Sequence, residues 1–392
     1  MSALDHLSAE EIGQRLRIAR ESAKLRQEDA AERLGMSRTT VVAVEKGDRR
    51  ARFEEVRAFA QLYGTSVNVL LRDEAVHVDL APKFRKHFSK EDAAVEDAAG
   101  LLADLAQAEV ELEALLGVRR VRNYPPERIL LPGDVRAQAE QDATELRQWL
   151  GLGFSPIGDI ITLLELELGV RVYIRRLDAN ISGLFAYDDK IGACMLLNAS
   201  HPRERRALTA AHETGHLVST RREPEVLTGG RSENSREERY ATAFSSTFLM
   251  PARALMQRFK EVTAGSEKLT RRHIIILAHA FGVSREAVVR RLEDLSLAPK
   301  GTWEWFQHYG NITNEQVRQV LGDVDTPDAG RADAYRPTSL RLGLLADAAS
   351  RRGILSEGQI ARMLRLDRVE LRAMLDGLEV QGDGADEPIL PN

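Results

Sequence analysis

The sequence is short of the residues that mark disulfide-rich, membrane and strongly basic proteins. It has one cysteine, Cys194, in 392 residues, which excludes an intrachain disulfide framework and a zinc site made of cysteines. No run of about 18 apolar residues occurs, and the first residues lack a basic-then-apolar signal pattern, so we expect a cytoplasmic protein without membrane contact. The net charge is -5, so binding to nucleic acid would require a local basic patch.

What is present is an ordinary globular composition, 43% hydrophobic and 29% charged, in a chain long enough for roughly two to four domains. Apolar residues recur mostly with helical spacing, and strand-like alternation is confined to one region. We therefore predict a mainly α protein with a small sheet, of the α+β class.

A helix-turn-helix pattern stands near the start of the chain. One short helix is predicted from Gln27 to Leu34, and after the pair Gly35-Met36 a serine, Ser37, can cap a further helix that runs to about Glu45. Two short helices joined by a tight glycine-containing turn are typical of DNA-binding helix-turn-helix domains.

The helix after Ser37 has the form of a recognition helix, because Val41 and Val44 face inward and a polar face remains for the major groove. Basic residues after it supply the local positive patch for phosphates. The alternative is a helical bundle with a solvated charge run. The candidate DNA contacts are Arg38, Thr39, Thr40 and Ala43 on the helix and Lys46, Arg49, Arg50 and Arg52 after it.

The stretch LRQEDAAERLGMSRTTVVAVEKGDRRARFEEVRAFAQLYGTSVNVLL resembles the Cro/repressor-type (XRE) helix-turn-helix family. The resemblance implies a five-helix domain over residues 10–72 that binds a double-stranded DNA operator. It places base reading on Arg38, Thr39 and Ala43, and puts Gln27 at the phosphate end of its helix. The matched family positions are Gln27, Ala31, Gly35, Ser37, Glu45 and Gly47.

Residues 73–133 are predicted to form a helical linker with one long amphipathic helix over 90–117. Its apolar residues recur at alternating steps of four and three: Leu101, Leu105, Ala108, Leu112 and Leu115. This helix either packs against its own chain or forms the seam of a homodimer. A dimer would suit a reader of two half-sites about 34 Å apart.

The pattern His212-Glu213-Thr214-Gly215-His216 is the strongest chemical signal. On a helix, histidines four residues apart lie one turn above each other and can bind one zinc ion. A catalytic zinc has three protein ligands, and Glu213 is placed to act as general base towards the attacking water. The alternative is a pair of buried histidines satisfied by hydrogen bonds, with Glu213 solvated.

The surroundings of the motif offer a third ligand and a sheet. A second helix is predicted from Ser235 to Leu249, and its first turns hold two glutamates that could complete the site. Upstream, helices are predicted over Asp134–Leu150 and Ile157–Leu168. Strands are predicted over Val170–Arg175, Gly183–Tyr187 and Ala193–Leu197, and the sheet edge could take up an extended peptide as a further strand.

The stretches LLNASHPRERRALTAAHETGHLV and EERYATAFSSTFLMP resemble the ImmA/IrrE family of zinc metallopeptidases over about residues 157–297. The resemblance implies a gluzincin-like peptidase core over 134–263, a helical, winged-helix-like extension over 264–298, and a regulatory protein as substrate. It assigns the zinc ligands to His212, His216 and Glu238, and the general base to Glu213. Thr242, Ser245-Ser246 and Phe248 depart from the family pattern and leave these four groups in place.

Residues 299–380 are predicted to form a C-terminal helical domain. It begins with the aromatic cluster Trp303, Trp305 and Phe306, which is either an exposed partner site or buried between helices. A small helix-turn-helix-like unit, capped by Ser356 and turning at Leu366-Asp367, could contact protein or DNA. Residues 381–392 are expected to be disordered.

These patterns predict a DNA-binding transcriptional regulator with a zinc metallopeptidase domain that cleaves a repressor or antitoxin-like protein in a stress or mobile-element response. An alternative is a regulator or antitoxin whose peptidase-like domain senses a ligand or partner and cuts no bond. A further alternative is a structural zinc that only links two helices.

Overall fold

The computed structural model describes residues 8–65, 67, 70, 80, 93–228, 235–266, 268–322 and 339–378. The chain divides into two compact units, Met1–His77 and Val78–Asn392. In the described residues, helices dominate and one small four-stranded sheet is present, which confirms the predicted fold class. None of the described helices is long and apolar enough to cross a membrane.

The first unit contains four described helices around one core. Three of these helices end at a glycine in the left-handed conformation, which an L side chain adopts only with strain. The region of the expected fifth helix, after Thr65, lies largely outside the described residues. The helices are α1 (Ala9–Ser22), α2 (Gln27–Leu34), α3 (Arg38–Lys46) and α4 (Phe53–Tyr63).

The sheet of the second unit has strand order β1-β3-β2-β4. β1 is parallel to β3, and the other neighbours are antiparallel. The three predicted strands are present, whereas β4, only four residues long, was not predicted. The strands are β1 (Arg171–Arg175), β2 (Ile181–Asp188), β3 (Gly192–Asn198) and β4 (Glu225–Thr228).

A long helix, α5 (Ala93–Leu116), contacts the strands and the C-terminal helices of its own unit. Leu105, Ala108 and Leu112 of its apolar stripe are buried there. The packing of this helix against its own chain is thus the alternative that the structure supports, and the homodimer stays a prediction. Residues 90–92 of the predicted helix lie outside the described residues.

Ion pairs between buried side chains tie α5 to the sheet. Arg171 of β1 lies 3.1 Å from a carboxylate oxygen of Glu109 and 2.8 Å from one of Glu113. Arg120 also contacts Glu109, and Arg341 contacts Glu113 at 3.0 Å. Burial alone would raise the pKa of Glu109, but the nearby Arg120 and Arg171 lower it, so the carboxylate stays charged.

The main apolar core lies between the sheet and several helices, and it includes buried residues as far along the chain as Ile312. The first helices of this core are α6 (Val135–Trp149), α7 (Ile160–Leu166), α8 (Arg203–Ser219) and α9 (Arg236–Leu249). The helix predicted over Ile157–Leu168 is shorter, because Asp159 caps its first turn. The metal motif lies on α8, and Glu238 lies in the first turn of α9.

Eight further helices follow α9 in the part of the chain that the structure describes. In the aromatic cluster, Trp303 and Phe306 are buried and Trp305 is 51% exposed. The prediction of burial therefore holds for two of these residues, and the prediction of exposure holds for Trp305. Ser356 caps α16, as predicted, and Asp367, predicted as part of the turn, also caps α17. Residues 323–338 and 379–392, which include the tail expected to be disordered, lie outside the described residues. The helices are α10 (Ala252–Val262), α11 (Arg271–Phe281), α12 (Arg285–Asp294), α13 (Thr302–His308), α14 (Asn314–Leu321), α15 (Leu340–Arg351), α16 (Glu357–Met363) and α17 (Arg368–Asp376).

Candidate functional site

His212, His216 and Glu238 come together between α8 and α9. The Nε2 atoms of the two histidines lie 3.3 Å apart. The Glu238 carboxylate reaches both rings, with one oxygen 3.3 Å from His212 Nε2 and the other 3.7 Å from His216 Nε2. Within the described ranges, these three residues form a group whose ligand atoms all lie within 4.8 Å of one another.

This donor set fits zinc, which takes imidazole nitrogen and carboxylate oxygen ligands. No fourth residue belongs to the group within the described ranges, which suits an open catalytic position better than a closed structural site. His212 and His216 are buried, and the Glu238 side chain is 17% exposed. His212 also lies within hydrogen-bonding distance of both His216 and Glu238, 3.3 Å in each case, as the alternative without a metal requires, whereas His216 and Glu238 are 3.7 Å apart.

Thr220 orients the second histidine, and sequence reasoning did not identify it. Its Oγ1 lies 3.0 Å from Nδ1 of His216, which leaves Nε2 directed at the candidate metal position. Ligand histidines commonly use their second nitrogen in such a hydrogen bond, which fixes the ring. The position of Thr220, four residues after His216 at the end of α8, is the signal that would have identified it.

Gly215 allows the two ligand helices to approach each other. A Cβ atom on this glycine would lie 2.9 Å from Cα of Ala241 and 3.2 Å from its Cβ. The glycine lowers helix propensity, but any larger residue would push α9 and its ligand away from α8. The close packing of α8 against α9 therefore explains why a glycine occupies this position of the motif.

Glu213 is fully buried on α8, one residue further round the helix than His212. This burial contradicts the expectation of a solvated Glu213, which belonged to the alternative without a metal. A carboxylate in a water-poor site beside metal ligands is suited to accept and return a proton.

The candidate DNA interface lies on α3. Ser37 caps this helix by accepting a hydrogen bond from the Thr40 backbone, and Val41 and Val44 are buried as predicted. Thr40 is half-buried, and its hydroxyl lies 2.8 Å from that of Ser37. The exposed side contains a hollow of about 350 Å³ lined by Arg38, Thr39, Val42, Ala43, Lys46 and Asp48. Of these, Val42 and Asp48 were not predicted.

Gln27 and Arg49, both predicted DNA contacts, are hydrogen-bonded to carboxylates of their own domain. The Gln27 amide donates a hydrogen bond of 2.8 Å to Glu45, which also accepts two hydrogen bonds from Arg20. Arg49 donates to Glu55 at 2.7 Å. Lys46 and Arg50 are exposed, as phosphate contacts require. Arg52 begins α4 as its N-cap residue.

The fold and the two sites define a class of protein, a helix-turn-helix protein with a metallopeptidase-like domain. A model of a helix-turn-helix domain matches residues 11–73, and the IrrE N-terminal-like domain of peptidase family M78 matches residues 166–293. The chain therefore combines a helix-turn-helix domain with an IrrE-like peptidase domain, as both resemblances implied.

Two other comparisons add nothing to these matches. No curated protein matches the chain. A solved structure, "Crystal Structure of ComR from Streptococcus suis", aligns with 94% of this chain and 93% of that chain at 11% identity. The TM-score of that alignment is 0.16, which is too low to support an argument about fold.

Proposed function

We propose that the chain is a DNA-binding transcriptional regulator whose zinc metallopeptidase domain cleaves a repressor or antitoxin-like protein. The observation that carries this proposal is the convergence of His212, His216 and Glu238 beside the buried Glu213. The IrrE-like match supports it, since peptidase family M78 is generally zinc-dependent. A stress or mobile-element response, a cytoplasmic location and a homodimer are parts of the same proposal.

Each residue of the candidate site has a role in peptide hydrolysis. His212, His216 and Glu238 would hold the zinc, and Thr220 would fix the His216 ring. When bound, zinc supplies Lewis acidity, which polarises a carbonyl group and makes a water molecule more acidic. Glu213 takes the proton of the attacking water and returns it to the leaving nitrogen, as a general base and then a general acid.

The sheet offers a place for the substrate. β4 has β2 on one side and, among the described strands, no neighbour on the other. An extended peptide can add to such an edge through main-chain hydrogen bonds, which bind it without strict sequence selection. A flexible segment of a regulatory protein could adopt the extended conformation that binding to this edge requires.

The DNA half of the proposal rests on α3. An exposed arginine at its start and apolar Val42 and Ala43 along the hollow match a major-groove surface, since arginine reads guanine and apolar groups contact the thymine methyl. Lys46 and Arg50 would contact phosphates. For Gln27 and Arg49, phosphate contact would require exchange of the present carboxylate partners.

The test of the catalytic half is co-expression with the products of neighbouring genes, comparing the wild type with Glu213→Gln. We expect new fragments of one partner with the wild type only, and stoichiometric zinc in both purified proteins. Glu223→Gln is the matched control, because Glu223 is exposed just beyond the same helix. A wild type that binds no zinc, or fragments that persist with Glu213→Gln, would refute the catalytic role.

A second function, a sensor that cuts no bond, is favoured by one observation. His212 lies 3.3 Å from both His216 and Glu238, so these side chains can also satisfy one another by hydrogen bonds. In that case the operator would be bound and no fragment would form, while a ligand or partner of the second unit would change the affinity for DNA. Zinc-loaded protein that yields no fragments but shows such a change would support this alternative.

A further inference from the structure

An extended segment, residues 123–133, runs along the second unit and is here named the strap. Its first part is fixed at the sheet, where the Asn123 backbone donates to the Leu168 carbonyl at 3.0 Å. The Tyr124 hydroxyl lies 3.2 Å from the Gly169 carbonyl oxygen and accepts a hydrogen bond of 3.0 Å from the Ala193 backbone. This end of the strap is therefore held by the sheet.

The strap is also fixed to the helix that carries both histidines. Its Arg128 backbone donates to the Val218 carbonyl at 2.7 Å, two residues beyond His216. Arg221, just after the end of α8, donates to the Pro125 carbonyl at 2.5 Å and also contacts the Leu217 carbonyl at 3.0 Å. The strap therefore has a fixed position relative to α8.

A third set of contacts holds the second half of the strap against α6. The Gln138 side-chain amide donates to the Ile129 carbonyl at 2.9 Å, and its oxygen accepts from the Leu131 backbone at 2.9 Å. Both backbone groups are thus held without any contribution from α9. The position of the strap is therefore fixed by α6, α8 and the sheet, and α9 can be held in place by hydrogen bonds to it.

Arg236, the first residue of α9, makes that attachment. Its guanidinium group donates to two strap carbonyls, those of Leu131 and Gly133, the second at 3.1 Å. Gly133 has a φ of 108°, a backbone conformation that side chains other than glycine rarely adopt. Both hydrogen bonds leave from the same terminal nitrogen, Nη2, and a lysine side chain, which is one bond shorter, would reach these carbonyls less well.

We propose that Arg236 is a positioning residue for Glu238, and that it sets the third zinc ligand against the two histidines through the strap. Glu238 stands two residues after Arg236, in the first turn of α9. Because the strap is bonded to α8 and Arg236 bonds α9 to the strap, this contact acts together with the direct packing of α8 against α9 at Gly215 to set the distance between the two sets of ligands. The inference rests on the proposed zinc site.

The test compares Arg236→Ala with Arg239→Ala in the full chain. Arg239 is exposed on the same helix, so its loss controls for charge and helix propensity. We expect Arg236→Ala to weaken zinc binding about tenfold in chelator competition, within the range for residues that orient metal ligands, and Arg239→Ala to leave it within about twofold. Arg236→Lys should lie between the wild type and Arg236→Ala, and it decides the question if the alanine variant does not fold.

A double-mutant cycle with Glu238→Gln separates positioning from general stability. If Arg236 acts through Glu238, its replacement should have little further effect on zinc binding once Glu238 is changed. Equal zinc affinity in Arg236→Ala, Arg236→Lys and wild type would overturn this inference while leaving the zinc site intact. A wild type that binds no zinc would instead remove the proposed function and this inference with it.

Discussion

Gly215 allows a close helix contact that a single methyl group would disturb. An added Cβ would lie 2.9 Å from the backbone of Ala241, so Gly215→Ala should force α9 outward. We expect a loss of about 1 to 3 kcal/mol in the free energy of unfolding, together with weaker zinc binding. Denaturant unfolding and chelator competition would measure these two effects.

The matched control for this variant is Gly100→Ala in α5, where an added Cβ meets nothing within 4 Å. There the substitution should stabilise the protein by about 0.5 to 1 kcal/mol, because alanine favours the helix more than glycine does. If both variants changed stability in the same direction, the close contact at Gly215 would not be the cause.

Arg38 is the residue on which the DNA prediction can be tested most directly. It is exposed at the start of α3, beside the hollow. Arg38→Ala should cost about 1 to 3 kcal/mol of specific binding if the guanidinium group reads a base. The operator would first be identified by selection from random DNA sequences, and its affinity would then be measured at fixed salt. Arg57→Ala, which changes an exposed arginine on α4, is the control. An unchanged footprint for Arg38→Ala would remove the base-reading assignment.

At the scale of elements, α7 holds a carboxyl group that makes stability depend on pH. Burial raises the pKa of Glu165 to about 7, helped by Glu109 and opposed by Arg120 and the backbone amide of Arg341. Because the folded state holds this proton more tightly, the stabilisation is complete below the ordinary pKa of 4.5 and is lost as pH rises through about 7.

We expect the wild type to lose up to about 3 kcal/mol of stability from this group between pH 5 and pH 8. Glu165→Gln, which stays neutral, should lack this part of the decline. Denaturant unfolding at several pH values would measure it, with Glu167→Gln, exposed at the end of the same helix, as the control. Equal slopes for wild type and Glu165→Gln would exclude the group as the source.

The elements that could be predicted from sequence are those with local signals. Ser37 caps the helix it was expected to cap, the helix predicted from Ser235 to Leu249 is present, and the spacing of His212 and His216 places both on one face of α8. The four-residue β4 has no such signal, because its pairing with β2 is a long-range contact. The contacts of Arg236 with the strap were missed for the same reason, since about a hundred residues separate the partners.

At the scale of the whole molecule, zinc should affect one unit and not the other. The proposed zinc ligands all lie in Val78–Asn392, and the proposed DNA surface lies in Met1–His77. Binding to the folded state alone stabilises it by about 2.7 kcal/mol at a zinc concentration one hundred times the Kd. Removal of zinc should therefore lower the unfolding temperature of one calorimetric transition and leave the other in place.

A second measurement, the affinity for DNA with and without a chelator, tests whether zinc binding in the second unit affects DNA binding by the first. An unchanged affinity is the expected result if the two units function independently. A change in operator affinity on zinc removal would contradict that independence, and it would favour the sensor function, in which the state of the second unit controls the reader.

The buried ion pairs beneath the sheet limit how this chain can be shortened or altered. Arg341, from the C-terminal helices, shares Glu113 with Arg171, so a chain cut before Ser339 would keep the carboxylate and lose one of its cations. Removing one partner of a buried ion pair typically costs about 3 to 5 kcal/mol, and the cost here should be smaller because Arg341 is partly exposed and Glu113 keeps Arg171. Residues near the end of the chain thus contribute to the integrity of the peptidase sheet, and substitutions at Glu113 and Arg341 should be tolerated together more readily than singly.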